Sequence, residues 1–169
     1  MFRNQLVDLP SPRLHAYKFI ATPDSPLVLV WGGSYGHLED IHSTAAPLII
    51  FLNQNDNVRF ELMGDPQLAV FFSSLPAHKF CFYPAGSLVN YLSWLDHLHI
   101  GIGPLLPTVY NRCRSDVKFL EYACHSVAPL LRDLDLYHFL MDTEAALLFS
   151  INSEFIDKLT PLLDNISLL

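Results

Sequence analysis

Pro26-Leu-Val-Leu-Val-Trp31-Gly-Gly-Ser-Tyr-Gly-His37 decides the fold. An unbroken apolar run marks a strand buried on both faces, the condition of strands in a parallel sheet. Glycines follow at once. They let the chain turn sharply and bring backbone N–H groups close to a ligand, and the helix expected next favours negative charge at its start. That helix is predicted over 38–53, with Pro47 kinking it or splitting off its last turn.

Outward from this unit the alternation continues. Val58-Arg-Phe-Glu-Leu-Met63 reads as a second strand, closed by Gly64-Asp65-Pro66, with a short helix over 67–74. Lys79-Phe-Cys-Phe-Tyr83 reads as a third strand, followed by a helix over 88–97. A fourth strand at 98–102 runs into Gly103-Pro104 and a long loop. A helix over 115–125, a strand at 127–131, a strand at 145–150 and a helix over 153–163 complete the chain. Strands alternating with helices at these distances are βαβ units, which require parallel pairing. The expected fold is α/β: a Rossmann-like three-layer α/β/α domain over residues 26–169, with a parallel sheet of about six strands. Residues 1–25, with Pro10, Pro12 and Pro23 among polar residues, read as a loop-like segment. Ligands in such sheets bind beyond the carboxyl ends of the strands, so the loops after strands one to four are where a site is expected.

Composition narrows the function. The chain has 169 residues, of which 51% are hydrophobic and 16% charged, enough apolar surface for a full core. A formal net charge of −7 argues against a nucleic-acid partner. The mean hydropathy of +0.27 fits a sheet covered on both faces, or an apolar surface that a partner would cover. The first residues carry no apolar signal core, and the longest apolar run, 45–52, is interrupted by Pro47 and too short to span a bilayer. The cysteines Cys81, Cys113 and Cys124 form no Cys-x-x-Cys pair, so a reducing cytosol is the default setting. Eight histidines bring no metal spacing: His37 and His42 fall on different faces of a helix, while His97 and His99 share a strand face without a third ligand. No metal is expected.

Asn111-Arg-Cys-Arg-Ser-Asp-Val-Lys-Phe-Leu-Glu121 carries the strongest chemical signal. Ser115 suits an N-cap and Asp116 a first helical turn. Arg112, Arg114 and Lys118 nevertheless crowd the same helix start, where cations oppose the helix dipole. A bound anion relieves that conflict. Lys118 and Glu121 are neighbours on one face, so a carboxylate within reach of sugar hydroxyls lies one turn inside the helix. Phe119, Leu120 and Ala123 are expected to face the core. A solvated helix start with a Lys–Glu pair accounts for the same residues. The loop Gly32–His37 is neither a dinucleotide fingerprint nor a Walker loop, and serves equally as a tight turn or a ligand loop. Tyr83, at the end of strand three, either stacks on a base or belongs to the core.

These residues resemble the donor-binding, C-terminal half of the group 1 glycosyltransferases, which have two Rossmann-like domains. The resemblance rests on His99-Ile-Gly-Ile-Gly-Pro104, Lys118-Phe-Leu-Glu-Tyr-Ala123 and Val127-Ala-Pro-Leu-Leu131, on Gly33-Ser-Tyr-Gly-His37-Leu-Glu-Asp40, and on Gly64-Asp65 closing strand two. Asn4-Gln-Leu-Val-Asp8 looks like the family's interdomain linker, which would place the start of this chain at the linker, without the acceptor half. The resemblance implies transfer of a sugar from a nucleotide-activated donor with retention of configuration, with no metal and no cofactor beyond the nucleotide sugar. It implies a donor-binding set of Gly33, Ser34, His37, Tyr83, Asn111, Arg114, Ser115, Asp116, Val117, Lys118 and Glu121. Glu121 would bind the ribose, residues 114–117 would hold the diphosphate, and Arg114 and Lys118 would carry the catalytic charge. The acceptor (glycan, lipid or protein) is not implied. The setting is cytoplasmic, or peripheral at the inner membrane face in a longer protein, without a transmembrane segment.

The sequence departs from the family pattern at several positions. Cys113 stands where an acidic residue often contacts the donor sugar. Ser126 replaces a glycine before strand five, Ala146 another near the sixth strand, and the usual Arg and Lys after strand one are absent. The rival reading is a non-catalytic module of the same fold, serving assembly or glycan binding. A self-contained nucleotide- or phosphosugar-binding Rossmann domain would need a full active site in this one chain, and the sequence offers no triad, dyad or metal cluster.

Overall fold

A computed structural model describes residues 25–143 and 145–164. The linker-like stretch 1–24 lies outside them. Six parallel strands form one sheet in the order β3-β2-β1-β4-β5-β6: β1 (Leu27–Gly33), β2 (Val58–Gly64), β3 (Phe80–Pro84), β4 (Ile100–Gly103), β5 (Ala128–Arg132) and β6 (Leu147–Phe149). The helices are α1 (Leu38–Gln54), α2 (Pro66–Ala69), α3 (Leu88–Leu95), α4 (Val109–Arg112), α5 (Val117–Cys124) and α6 (Asn152–Asp164). This is the α/β, Rossmann-like arrangement that the alternation of apolar runs and helical stretches predicts.

The continuous apolar character of β1 follows from its position. Leu27, Leu29 and Trp31 enter a core completed by Ile41, Leu48 and Leu52 of α1 and Phe155 and Leu159 of α6. Val28 and Val30 enter the opposite core with Leu95 of α3, Tyr122 of α5 and Tyr137. A strand buried on both sides has no polar positions to spare.

Several boundaries differ from the expected ones for local reasons. Pro47 neither splits α1 nor ends it: the helix runs through to Gln54. A proline removes the N–H that would bond the carbonyl four residues earlier, here that of Ser43. Asn152 Nδ2, at the start of α6, donates to that carbonyl at 2.8 Å. The helix predicted over 67–74 is α2 continued by a 3-10 turn, Val70–Phe72. The loop after β4 contains α4, capped by the Thr108 hydroxyl, which accepts from Asn111 N at 3.1 Å. α5 starts two residues later than Ser115, with Asp116 at its N-cap and no side-chain cap bond. Leu120 is exposed, and Tyr122 takes the inward place. Its ring lies over Gly101, where an added Cβ would come within 2.5 Å of it, and its hydroxyl donates to Ile102 O at 3.0 Å. The Ile-Gly-Ile-Gly of β4 thus lets α5 dock close to the sheet.

Candidate nucleotide site at the carboxyl edge of the sheet

The ends of β1, β2 and β3 meet at Gly33, Gly64 and Pro84, which are in register with one another. Gly64 has φ +158°, and a Cβ there would lie 1.9 Å from Gly33 O, so only glycine fits. The absence of side chains leaves a cleft of about 530 Å³ lined by Gly32, Gly33, Ser34, Met63, Pro84 and Tyr91 among others. A second, smaller cavity of about 110 Å³ opens where β1 and β4 diverge. Its walls include His37, Leu105, Arg114, Ser115, Lys118 and Tyr137, and Gly32 borders both spaces.

Lys118 of α5 lines the smaller space and Tyr91 of α3 the larger. Lys118 Nζ donates to Glu121 Oε2 at 2.8 Å and to Tyr91 Oη at 2.8 Å. Tyr91 Oη in turn donates to the same Glu121 oxygen at 2.9 Å. Burial first, and the Glu121 charge second, push the Tyr91 phenol well above its ordinary range, so it remains a donor. The uncapped first turn of α5 leaves its leading N–H groups without intrahelical partners at the edge of the smaller cavity. Arg114 lies over the Tyr110 ring, 4.7 Å from its centroid, and donates to the Tyr110 hydroxyl at 2.9 Å.

One buried carboxylate orders the surrounding loops. Asp40, in the first turn of α1, accepts from Leu106 N and Asn111 Nδ2 through Oδ1, each at 2.8 Å, and holds His37 Nδ1 at 2.8 Å through Oδ2. It ties the loop after β1 to the loop after β4 and turns His37 toward the small cavity. On β2 a second buried carboxylate, Glu61, takes Arg59 and, at 2.9 Å, Trp94 Nε1. It pins α3, and so Tyr91, to the sheet.

The structure gathers most of the residues singled out by sequence. His37, Arg114, Ser115, Val117 and Lys118 line the smaller cavity, and Gly33 and Ser34 line the larger. Glu121 bonds Lys118 from one cavity and Tyr91 from the other. Asn111 is buried and bonded to Asp40 and Leu106 O, so its side chain serves the wall and not the opening. Tyr83 packs on Trp94, at 5.9 Å between ring centroids, behind Pro84, which does line the cleft. Asp116 occupies the N-cap position of α5 without a side-chain cap bond and lines neither space. Arg112 pairs with Asp135 at 2.9 Å at the surface, so two of the three cations, not three, face the cavity. Leu98, His97 and His99 lie before β4 and not within it. Among the described residues no group of three or more His, Cys, Asp or Glu side chains is placed to hold a metal ion. No described helix is long and apolar enough to cross a membrane. Sequence reading missed Asp40, Tyr91 and Tyr137 as site residues.

No protein-family model matches the chain, and no curated protein matches it by sequence. Solved structures share its fold. The C-terminal domain of a glycosyl transferase group 1 family protein (LpcC) from Francisella tularensis is 17% identical with a TM-score of 0.62, over 85% of this chain and 78% of that one. TarM aligns at a TM-score of 0.65 and 11% identity over 90% of this chain and 30% of that one. A UDP-forming trehalose-phosphate synthase from Burkholderia xenovorans aligns at 0.60 and 8% identity, over 82% and 36%. The chain thus has the fold of the C-terminal Rossmann-like domain of two-domain glycosyltransferases. It spans about a third of the TarM and synthase chains.

Proposed function

We propose that this domain binds the nucleoside diphosphate part of a nucleotide-activated sugar and forms the donor half of a retaining glycosyltransferase. The observation that carries this reading is the uncapped start of α5. It opens, with Arg114 and Lys118, onto a cavity at the carboxyl ends of β1 and β4, one turn from the Glu121 carboxylate. Helix amides and two cations suit a diphosphate. Glu121 suits ribose hydroxyls, and the glycine-floored cleft beside Pro84 has room for a base. In transfer, charge develops on the departing diphosphate as the acceptor hydroxyl attacks the anomeric carbon. Preorganised donors at that position lower the barrier. Arg114 and Lys118 are the residues assigned to that role, with no metal required. The acceptor, a glycan, lipid or protein, would be supplied by a second domain, and the enzyme would work in the cytoplasm or at the inner face of the membrane.

UDP is the first nucleotide to test, because a solved S. aureus TarM structure contains UDP. Calorimetry of the chain with UDP, ADP and GDP should show one of them binding, with affinity reduced about tenfold or more in Glu121→Ala. No binding by the wild type, or equal binding by the variant, would sink the assignment. One observation favours a non-catalytic module instead: Cys113, where a sugar-contacting acid is common in the family, is exposed and lines neither cavity. A product assay on the chain joined to its acceptor half separates the two.

A further inference from the structure

Tyr137 lies in the 3-10 turn Asp135–Leu140 that follows β5. Its side chain is fully buried at 0% exposure, yet its hydroxyl has no hydrogen-bond partner within the protein. The other fully buried tyrosine of this core, Tyr122, bonds a backbone carbonyl, as buried tyrosines generally do. Leaving a buried hydroxyl without a partner is unfavourable, so its presence here calls for a reason. Tyr137 is one of the walls of the 110 Å³ cavity. Arg114 is another, and its Nε is also buried and unpartnered. Two residues that line one small space, beside the open amides of α5, therefore each carry a buried donor with no partner in the protein. Burial, and then the charges of Asp116 and Glu121, push the phenol up to about 12, so it carries its proton at neutral pH. The space is too small for a nucleoside but suits a single phosphate group.

We propose that the Tyr137 hydroxyl donates a hydrogen bond to the distal phosphate of the bound nucleoside diphosphate and, with Arg114, reads that group. This rests on the nucleotide reading above, but the pocket itself can be tested without a nucleoside. Tyr137→Phe keeps the ring and removes only the hydroxyl. Titrations of wild type and variant would use UDP, UMP and inorganic pyrophosphate at one salt concentration, with melting curves of both unliganded proteins. The expected result is a loss on the order of tenfold for UDP and pyrophosphate, with UMP within twofold. The unliganded melting temperature should be unchanged or raised, since no internal bond is lost.

Unchanged UDP and pyrophosphate affinity in the variant, an equal loss for UMP, or a wild type that binds no pyrophosphate would each overturn the proposal. A lowered melting temperature or failure to fold would also overturn it, by showing that the hydroxyl already serves the fold. Wild type that binds pyrophosphate but no nucleotide, with Tyr137→Phe weakening it, would remove the nucleotide reading and leave the role of Tyr137 in place.

Discussion

Ser126 has φ +56°, the left-handed conformation that a side chain resists and glycine adopts freely. It turns the chain from α5 into β5, where Val127 N reaches back to Tyr122 O at 3.0 Å. The resemblance to the group 1 glycosyltransferases places a glycine here, and the backbone has the shape that glycine adopts most readily. Ser126→Gly should therefore stabilise the protein. Relief of about 1–2 kcal/mol of left-handed strain outweighs the roughly 0.5–1 kcal/mol of added unfolded-chain entropy. A rise in melting temperature of about 1–3 °C is expected. A fall would show that Ser126 contributes a contact worth more than its strain.

At the level of the element, α1 shows how one helix depends on another. Pro47 frees the Ser43 carbonyl, and Asn152 Nδ2 bonds it, so the packing of α6 against α1 includes a repair of α1. The two residues should be coupled. Asn152→Ala should cost about 1–2 kcal/mol in the wild type. In a Pro47→Ala background the restored N–H at position 47 bonds the carbonyl itself, so the cost should fall by about 1 kcal/mol. A double-mutant cycle by denaturant unfolding measures that difference, and additivity would refute the repair. Elements such as α1 were legible because a long apolar period survives a proline. Strands were legible because apolar runs end at Gly33, Gly64, Pro84 and Gly103. The inward face of α5 was not. It is set by Tyr122 over Gly101, a clearance that no local pattern in eight residues reveals. The site divides in the same way. Lys118 and Glu121 are three residues apart and announce themselves. Tyr91, which joins them, lies 27 and 30 residues away on another helix, and Tyr137 on a turn beyond β5. Sequence spacing carries no information about such meetings.

Across the whole molecule, the sheet changes direction between β1 and β4, and that seam is both its centre and the floor of the candidate site. A histidine closes it. His99 Nδ1 accepts Val28 N–H at 3.0 Å just before β4 begins, a bond that requires an unprotonated nitrogen. Burial first, and the Arg59 charge second, lower its pKa from 6.5. The unfolded chain therefore takes up a proton near pH 6.5 that the folded chain refuses. The sign follows from linkage: stability is full above the unfolded value and is lost as pH falls from it toward the depressed folded value, at up to about 1.4 kcal/mol per pH unit. Melting curves between pH 8 and pH 5 should show this decline in the wild type. His99→Gln, whose side-chain oxygen can still accept the Val28 N–H, should show a shallower one. Equal slopes in variant and wild type would move the acid sensitivity away from His99 to other titrating groups.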